Sequence, residues 1–344
     1  MKKDLFGLSL TELQALCAEE GFPRFTAKQL CDWMYAKRVC DFDAMTNLSL
    51  KIRARLNEIA VVGRCDAVDC QTSVDGTKKY LFPVTIDGKE HYIETVFIPA
   101  DDRATLCVSC QVGCRMGCCF CVTGKQGFHG SLTTSQILNQ IFSVPDSEIL
   151  SNVVFMGMGE PMDNYEAIKS TLEVITSEWG LGWSPHRLTV STVGITPVLR
   201  RLLDETQCHV AVSLHNAFPK ERLAIMPMEK AYPIADTIAL LSRYDWRGHR
   251  RISFEYTMFK GFNDDMAHAA ELVKLLKGLR CRVNLIRFHS SPGVPYQSSD
   301  ERTMVAFRDY LDSHGVTCTI RASRGEDIMA ACGLLAGKGK SASQ

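Results

Sequence analysis

The chain has 344 residues, of which 46% are hydrophobic and 23% are charged, and its formal net charge is zero. This composition supports a packed core and excludes a mainly disordered chain, and the length allows one large domain beside a smaller one. The balanced charge excludes nucleic-acid binding through overall charge, so any RNA contact must come from local basic patches.

The cysteines and the hydropathy pattern together predict a cytoplasmic protein without membrane contact. The N-terminal stretch MKKDLFGLSLTEL has two lysines but no long apolar run, so we do not expect a signal peptide. No stretch approaches the length of a membrane span. We therefore expect the fifteen cysteines to be metal ligands, catalytic thiols or buried thiols rather than a disulfide framework.

The first 77 residues are predicted to form a helical accessory domain. Helical patterns begin near Leu10 and after Thr26, and a third runs from Ser49 to Ile59. Taken singly, the basic residues on these helices are ordinary solvated surface, but as a group they could contact RNA phosphates. These residues are Lys37, Arg38, Lys51, Arg53 and Arg55.

A β-hairpin connector is predicted over residues 78–100. Two strand-like runs, Tyr80–Ile86 and His91–Ile98, flank the turn signal Asp87-Gly88. A change of pattern near Ala100–Arg103 marks the expected boundary to the next domain.

Residues 101–315 predict a parallel α/β sheet, because short apolar runs alternate with helical segments. Six such units are too few for an eight-fold barrel, so we expect a partial (β/α)6 barrel. A last helix is expected at Asp300–Ser313, and residues 316–344 are expected to form a strand and a tail. The six predicted strands are Thr105–Ser109, Asn152–Met156, Arg187–Ser191, His209–His215, Arg251–Met258 and Val283–Phe288.

The first of these strands leads into a cysteine-rich loop. Six cysteines lie between Cys107 and Cys121, but only Cys114, Cys118 and Cys121 have the spacing C-x3-C-x2-C. Three thiolates in one loop can each bond one iron of a four-iron cluster, which leaves the fourth iron open to a substrate.

Two other interpretations of this loop remain open on its residues alone. A zinc knuckle could use the pairs Cys107–Cys110 and Cys118–Cys121, although the seven residues between the pairs are fewer than in most zinc ribbons. Alternatively, the cysteines are small hydrophobic residues in a core.

Ligands of parallel α/β folds bind at the carboxyl ends of the strands, and polar residues follow the predicted strands here. Gly159 lets a backbone approach a ligand, Glu160 can accept from an ammonium group, and Ser191 suits ribose hydroxyls. Beside an open-iron cluster, this rim indicates a site for an adenosyl amino acid. The candidate cofactor-binding residues are Gly159, Glu160, Ser191, Ser213, Leu214, His215 and His289, the last in the run His289-Ser290-Ser291.

The run from Cys114 to Cys121, with an aromatic residue before the third cysteine, resembles the radical S-adenosylmethionine (SAM) signature. Further runs resemble one family of that superfamily, the RlmN/Cfr group of RNA adenine methyltransferases. They are FMGMGEP at 155–161, SLH at 213–215, and RASRGEDI with AACG between 321 and 333. The resemblance extends from the N-terminal helices to about Gly337.

The resemblance implies a [4Fe-4S] cluster on Cys114, Cys118 and Cys121, two SAM molecules per turnover, and two catalytic cysteines. One SAM would methylate Cys332, and the second would yield a 5′-deoxyadenosyl radical that activates the methylthioether for addition to adenine. Thiolate attack by Cys107 would then release the product and leave a Cys107–Cys332 disulfide for reduction.

The resemblance also implies a proton acceptor, substrates and partners. Glu94 corresponds to the proton acceptor of the family, although by pattern alone it is an outward-facing strand residue. The implied substrates are adenine C2 in 23S rRNA and in tRNA, next to the anticodon. A flavodoxin or ferredoxin would supply electrons, and we expect a monomer.

Two features bear on the branch within the family. The RlmN branch commonly has asparagine at the SAM-binding position where this chain has His289, and histidine changes its charge near neutral pH. Pro161 and the run Pro292–Tyr296 resemble RlmN more than Cfr. The alternatives are adenine C8 methylation of the Cfr type and, in another class, a non-catalytic zinc-stabilised RNA-binding protein.

Overall fold

A computed structural model describes residues 2–290 and 293–337. Two residues named above, Ser291 and Pro292, lie outside the described residues, as does the end of the predicted tail from 338 to 344. No helix in the described ranges is both long enough and apolar enough to cross a bilayer.

The N-terminal segment forms the expected small helical bundle. Its first helix begins after Ser9, whose hydroxyl accepts from the Glu12 amide while the Glu12 carboxylate accepts from the Ser9 amide. At the start of the third helix the Ser49 hydroxyl accepts from the Ile52 amide. Its elements are β1 (Lys3–Asp4), α1 (Leu10–Glu19), α2 (Phe25–Cys31), which continues as a π-helical turn (Asp32–Ala36), α3 (Leu50–Ile59) and β2 (Ala60–Val61).

This bundle packs on the helix Thr134–Ser143 of the larger domain. Phe6 meets Phe142 edge to face, with ring centroids 5.3 Å apart. Asp4 accepts a 2.6 Å hydrogen bond from Ser135, and Arg64 donates to the Phe142 carbonyl at 2.7 Å. Apolar and polar contacts therefore fix the accessory bundle against the larger domain.

One ten-stranded sheet runs through the larger domain, in the order β14-β13-β12-β11-β10-β9-β6-β5-β4-β3. The seven strands from β6 to β14 are parallel neighbours, and the other three are antiparallel. The strands are β3 (Asp69–Thr72), β4 (Lys78–Ile86), β5 (Lys89–Ala100), β6 (Arg103–Cys107), β9 (Asn152–Phe155), β10 (Leu188–Thr192), β11 (His209–Ser213), β12 (Ile252–Met258), β13 (Arg282–Arg287) and β14 (Thr317–Ile320), with a separate pair β7 (Gln111–Gly113) and β8 (Phe128–Ser131).

Helices connect the parallel strands, so the predicted partial barrel is confirmed. Within the described residues, the strand expected in the tail joins the parallel run as its seventh member, because it pairs with β13. The helices of this domain are α4 (Val122–Lys125), α5 (Thr134–Ser143), α6 (Tyr165–Thr176), α7 (Thr196–Glu205), α8 (Pro219–Ile225), α9 (Ile234–Leu241), α10 (Met266–Leu275) and α11 (Glu301–Ser313).

The hairpin turns at Asp87 and Gly88, which have φ angles of 48° and 74° as tight hairpin turns require. It was expected as a connector, but β5 pairs with β6, so the hairpin extends the barrel sheet. The division of the chain at 77, 100 and 315 into domains remains a prediction; the sheet itself crosses all three of these positions, since β3 lies before 77.

The inner face of the parallel strands is unusually polar. Strand alternation brings Ser253, Glu255 and Thr257 of β12 to the same face. Ser253 and Asn284 donate to Glu255 at 2.9 and 2.8 Å. Polar side chains therefore occupy the space that Val, Ile and Leu fill in a closed barrel.

Candidate active site at the carboxyl ends of the strands

A deep cleft lies at the carboxyl ends of the parallel strands and encloses about 1100 Å³, including solvent at its mouth. This size suits a cofactor site. It brings together residues that are more than 200 positions apart in the chain. The predicted site residues that line it are Cys114, Cys118, Cys121, Gly159, Glu160, Ser191, Ser213, His215, His289 and Cys332.

The cysteine loop is closed at its base by the β7–β8 pair. The Cys114 amide donates to the Gly127 carbonyl at 2.9 Å, directly beside Gly113. Gly113 has a φ of 73°, and a Cβ atom there would collide with the same carbonyl oxygen. Only glycine permits this approach, which makes the loop short enough to present three thiols to one cleft.

The three loop cysteines fit a cluster better than a single metal ion. Burial raises the pKa of Cys114 to about 12 and also raises the pKa values of Cys118 and Cys121, so these thiols are protonated until a cation displaces the protons. A four-iron cluster bonds each thiolate to a different iron, so the sulfurs need not converge on one point.

The zinc knuckle proposed from cysteine spacing is not supported. In the ranges 2–290 and 293–337, no three side chains of histidine, cysteine, aspartate or glutamate are grouped to hold one ion. Cys107 ends β6 and, together with Cys110, is absent from the residues that line the cleft. Of the four cysteines of the knuckle, only Cys118 and Cys121 line the cleft.

The tail carries Cys332 to the rim of the cysteine loop. The Val122 amide donates to the Gly333 carbonyl at 2.8 Å, and the Thr123 hydroxyl donates to the Leu335 carbonyl at 2.7 Å. The surface that Cys332 exposes lies within the cleft, where the surrounding protein raises the pKa of its thiol and the Arg321 guanidinium opposes this rise.

The start of the same tail segment is held on the opposite side, by the β3–β4 turn. Asp75 accepts from the Gly325 amide at 3.1 Å, and Asp327 accepts from Ser73 at 2.5 Å. The tail from Gly325 to Leu335 is therefore a loop anchored at both ends, with Cys332 between the anchors.

Cys107 is the last residue of β6, and its thiol lies in the neighbourhood of the Cys332 thiol and the Arg321 guanidinium. Burial raises the pKa of Cys107 to about 12, and a Met156 amide donor and Arg321 oppose this rise. The two sulfurs form no disulfide in this structure.

Glu94 lies outside the cleft lining but is joined to the tail. Its carboxylate accepts from the Ala336 amide at 2.7 Å and lies 3.3 Å from the Lys79 ammonium group. Strand β5 thus directs Glu94 inward, in contrast to the outward orientation that its pattern alone suggests.

Glu160 is buried at the end of β9 and each of its oxygens accepts a backbone amide. The donors are Met162 at 3.1 Å and Val193 at 2.9 Å. Burial raises the pKa of Glu160 to about 7, although the hydrogen bonds lower it in part. The carboxylate can therefore change its protonation state in the neutral range.

The Ser213-Leu214-His215 run presents only two of its side chains to the cleft. Leu214 differs from the expectation: its side chain is fully buried, because alternation along the chain turns it away from the face that Ser213 occupies. His215 accepts from the Thr257 amide through Nδ1 at 3.0 Å, so the ring proton is on Nε2. Burial lowers the pKa of His215 to about 3, and the ring is neutral.

His289 lines the cleft at the end of β13. Its Nε2 lies 3.1 Å from the Ser323 hydroxyl, and its Nδ1 lies 3.7 Å from the Glu326 carboxylate. Burial lowers the pKa of His289, and Glu326 opposes that shift. The side chain thus connects the rim to the tail.

Sequence reasoning missed one buried arginine that organises the rim. Arg222 donates to the carbonyls of Leu214 at 2.9 Å, Ser213 at 2.8 Å and Val193 at 3.1 Å, and its fourth partner is Glu229. It therefore ties together the ends of β10 and β11. Arginine is rarely buried, so no local pattern distinguished this one from a surface residue.

Sequence reasoning also missed an ion pair near Cys332. Arg321 and Glu255 line the cleft, with Nη1 and Oε2 3.5 Å apart. Glu255 lies in the middle of β12, where buried parallel strands usually carry apolar residues. A charged residue at that position could have identified Glu255 from the sequence.

Two family models match the chain in separate segments. Residues 3–62 match the N-terminal domain of the ribosomal RNA large subunit methyltransferase, and residues 108–273 match the radical SAM superfamily. The first segment is the helical bundle, and the second contains the cysteine loop and most of the parallel strands.

Relatives match over nearly the whole chain. A probable dual-specificity RNA methyltransferase RlmN from Porphyromonas gingivalis is 55% identical over 96% of both chains. The protein of that name from Bacteroides thetaiotaomicron is 54% identical over 97% of this chain and 96% of its own length. The crystal structure of a radical SAM methyltransferase from Sphaerobacter thermophilus superposes with a TM-score of 0.91 at 39% identity, covering 98% of this chain and 100% of that one.

We expect Gly113→Ala to impair iron binding by the cysteine loop, because the new methyl group would force the Gly127 carbonyl away from the Cys114 amide. Iron and sulfide per chain should be measured after anaerobic reconstitution. Gly127→Ala is the matched control, since Gly127 also has a positive φ but open space around its Cβ position. Equal iron contents in the two variants would contradict the role of the close approach.

Proposed function

This chain belongs to the RlmN family of RNA methyltransferases, and we propose that it methylates adenine C2 in 23S rRNA and in tRNA, next to the anticodon. The observation that carries the proposal is the presence of Cys332 in the same cleft as the three loop cysteines. A methyl carrier must reach the site where SAM reacts, and the shared cleft supports this role for Cys332.

The protein is a SAM-dependent enzyme of the radical SAM superfamily, which uses a [4Fe-4S] cluster. Cys114, Cys118 and Cys121 would hold it. The chemistry supplied when the cluster is bound is one-electron reduction of SAM at the iron without a protein ligand. The rim residues would orient the SAM molecule: Glu160 would accept from its amino group, and Ser191 and Ser213 would bond its hydroxyls.

Cys332 is the proposed methyl acceptor in the first half of the cycle. Its sulfur displaces S-adenosylhomocysteine from one SAM and becomes a methylthioether, and the thiol proton leaves to solvent. Arg321 favours the thiolate form that this displacement needs. A thiol carrier is required because the C2 carbon of adenine is itself electrophilic and cannot attack a sulfonium methyl group.

Cys107 and Glu94 are proposed to complete the second half, once the carrier carbon has bonded to adenine C2. Glu94 takes the proton from C2, and the adduct loses its unpaired electron, which the cluster, when bound, would accept. The Cys107 thiolate then attacks the Cys332 sulfur. The electron pair of the bond between that sulfur and the methylene carbon stays on the carbon, which takes a proton to become the methyl group. The products are methyladenosine and a Cys107–Cys332 disulfide. The proximity of Cys107 to Cys332, and the hydrogen bond that joins Glu94 to the tail, support these roles.

The preference for C2 over the C8 target of the Cfr type rests on the relatives, which carry the RlmN name at 52–55% identity. The same relatives support rRNA and tRNA as substrates, since they are named as dual-specificity enzymes. We further propose that a flavodoxin or ferredoxin supplies electrons, that the enzyme acts as a monomer, and that it works in the cytoplasm, where these RNAs are found.

The decisive experiment is an anaerobic assay with methyl-labelled SAM on 23S rRNA and tRNA that lack the modification. We expect label in both RNAs, at 2-methyladenosine, as measured by mass spectrometry of digested RNA against synthetic standards. Label in 8-methyladenosine would instead identify the Cfr-type activity. A protein that binds zinc and transfers no label would reject the enzymatic proposal.

Cys107→Ala should leave protein joined covalently to RNA through Cys332, because no second thiolate can break the bond between the sulfur and the methyl carbon. The adduct is measured by a gel shift that survives denaturation and disappears after nuclease digestion. Cys332→Ala should give neither adduct nor product. Cys70→Ala is the matched control, as Cys70 is exposed in β3, and it should behave as wild type. Release of methylated RNA by Cys107→Ala at the wild-type rate would remove Cys107 from the mechanism.

SAM affinity should fall as the pH is lowered from 8 to 6, because protonation of Glu160, whose pKa is raised to about 7, removes an acceptor for the SAM amino group. Equilibrium dialysis of labelled SAM with the reconstituted enzyme measures this. Glu160→Gln should bind more weakly at both pH values with a smaller pH dependence. Because both proteins see the same ionisation of SAM, equal slopes would assign the pH effect to the ligand.

A further inference from the structure

A second concave pocket opens at the opposite end of the barrel, where the parallel strands begin. It lies between the loop before β12, the starts of β10, β11, β13 and β14, and the segment that precedes β13. Its inner end reaches Glu255 and Arg321, which also line the cleft. We call it the basal pocket. The residues that line it include His209, Arg251, Arg280, Arg282 and Glu255.

Three arginines at the mouth of the basal pocket lack acidic partners. Arg251, Arg280 and Arg282 are exposed, and none of them forms an ion pair with any carboxylate among the described residues. The Arg247 guanidinium nearby is already paired with Asp245 at 2.9 Å. Three guanidinium groups around one concavity repel each other and create a field that favours an anion.

The basal pocket also supplies neutral donors. His209 accepts from the Arg251 amide through Nδ1 at 3.0 Å, which leaves Nε2–H as a donor. Burial lowers the pKa of His209 to about 4, so its ring is neutral, and His186 and Arg251 add to the shift. Thr189 and Thr317, which carry hydroxyl groups, also line the pocket, whereas the Ser253 hydroxyl already donates to Glu255.

Among the residues that the structure describes, Glu255 is the one carboxylate that lines the basal pocket, and it lies at the inner end rather than at the mouth. There it accepts hydrogen bonds from Ser253 and Asn284 and forms an ion pair with Arg321. Its charge would keep an anion near the mouth, beside the arginines. The ligand is therefore expected to sit at the amino ends of the strands, about one strand length, or roughly 20 Å, from the cleft rim.

We propose that the basal pocket binds a phosphate group, held by Arg251 and Arg282 with help from Arg280 and the neutral donors. Guanidinium groups match phosphate oxygens in geometry as well as charge. The phosphate can belong to a small molecule or to the backbone of RNA. This site is separate from the methyl-transfer cleft, and the proposal does not depend on the identity of the methylated atom.

Isothermal titration of the reconstituted protein with phosphate and with pyrophosphate tests the site, at constant ionic strength maintained with chloride. We expect one pyrophosphate to bind per chain. The dissociation constant of Arg282→Gln should be at least about tenfold higher than that of wild type. Arg302→Gln is the matched control: it removes the same charge from an exposed residue of α11 outside the basal pocket, and it should bind as wild type. Arg282→Lys should fall between wild type and Arg282→Gln.

A second arm uses a short RNA duplex of arbitrary sequence, which presents the phosphate group as part of a polymer backbone. If the inorganic probes fail to bind but Arg282→Gln loses affinity for the duplex and Arg302→Gln does not, the ligand is an RNA phosphate. Equal losses in the two variants would show only general charge attraction and would overturn the site. So would unchanged binding of every probe by Arg282→Gln, provided that its iron content equals that of wild type.

Discussion

The catalytic arrangement depends on the docking of the tail against the cysteine loop. Two hydrogen bonds, from the Val122 amide and the Thr123 hydroxyl, hold the backbone on either side of Leu334. They bring a residue near the end of the chain to a loop that begins more than 200 residues earlier. They hold Cys332 in the cleft that the three loop cysteines line, as the role proposed for Cys332 as methyl carrier requires.

Charge inside the barrel is balanced by short-range partners rather than excluded. Glu255 lies between Arg321, Ser253 and Asn284, while Arg222 is compensated by Glu229 and three carbonyl groups. A buried ion that loses its partner costs several kcal/mol, typically about 3–5, so these networks constrain the rim strongly. The polar interior also explains how the fold can place Arg321 close to the thiols of Cys107 and Cys332.

Regular elements were predictable from the sequence because their signals are local. Ser9 and Glu12 predict the start of a helix, and Asp87-Gly88 predicts a hairpin turn. The cysteine spacing and the strand-end residues also located most of the cleft. What could not be predicted is long-range: the pairing of β5 with β6, the inward direction of Glu94, and the anchoring of the tail on Asp75. Leu214 illustrates the limit, since belonging to a motif does not determine which way a side chain points.

The seven parallel strands form an unclosed wall, and β14 and β3 are the free edges of the sheet. An eight-stranded ring would restrict access to molecules that fit through its end. A wall with a lateral gap can instead receive one nucleotide while the rest of a long polymer stays outside. The open sheet therefore suits an enzyme whose target is one nucleotide within a folded macromolecule.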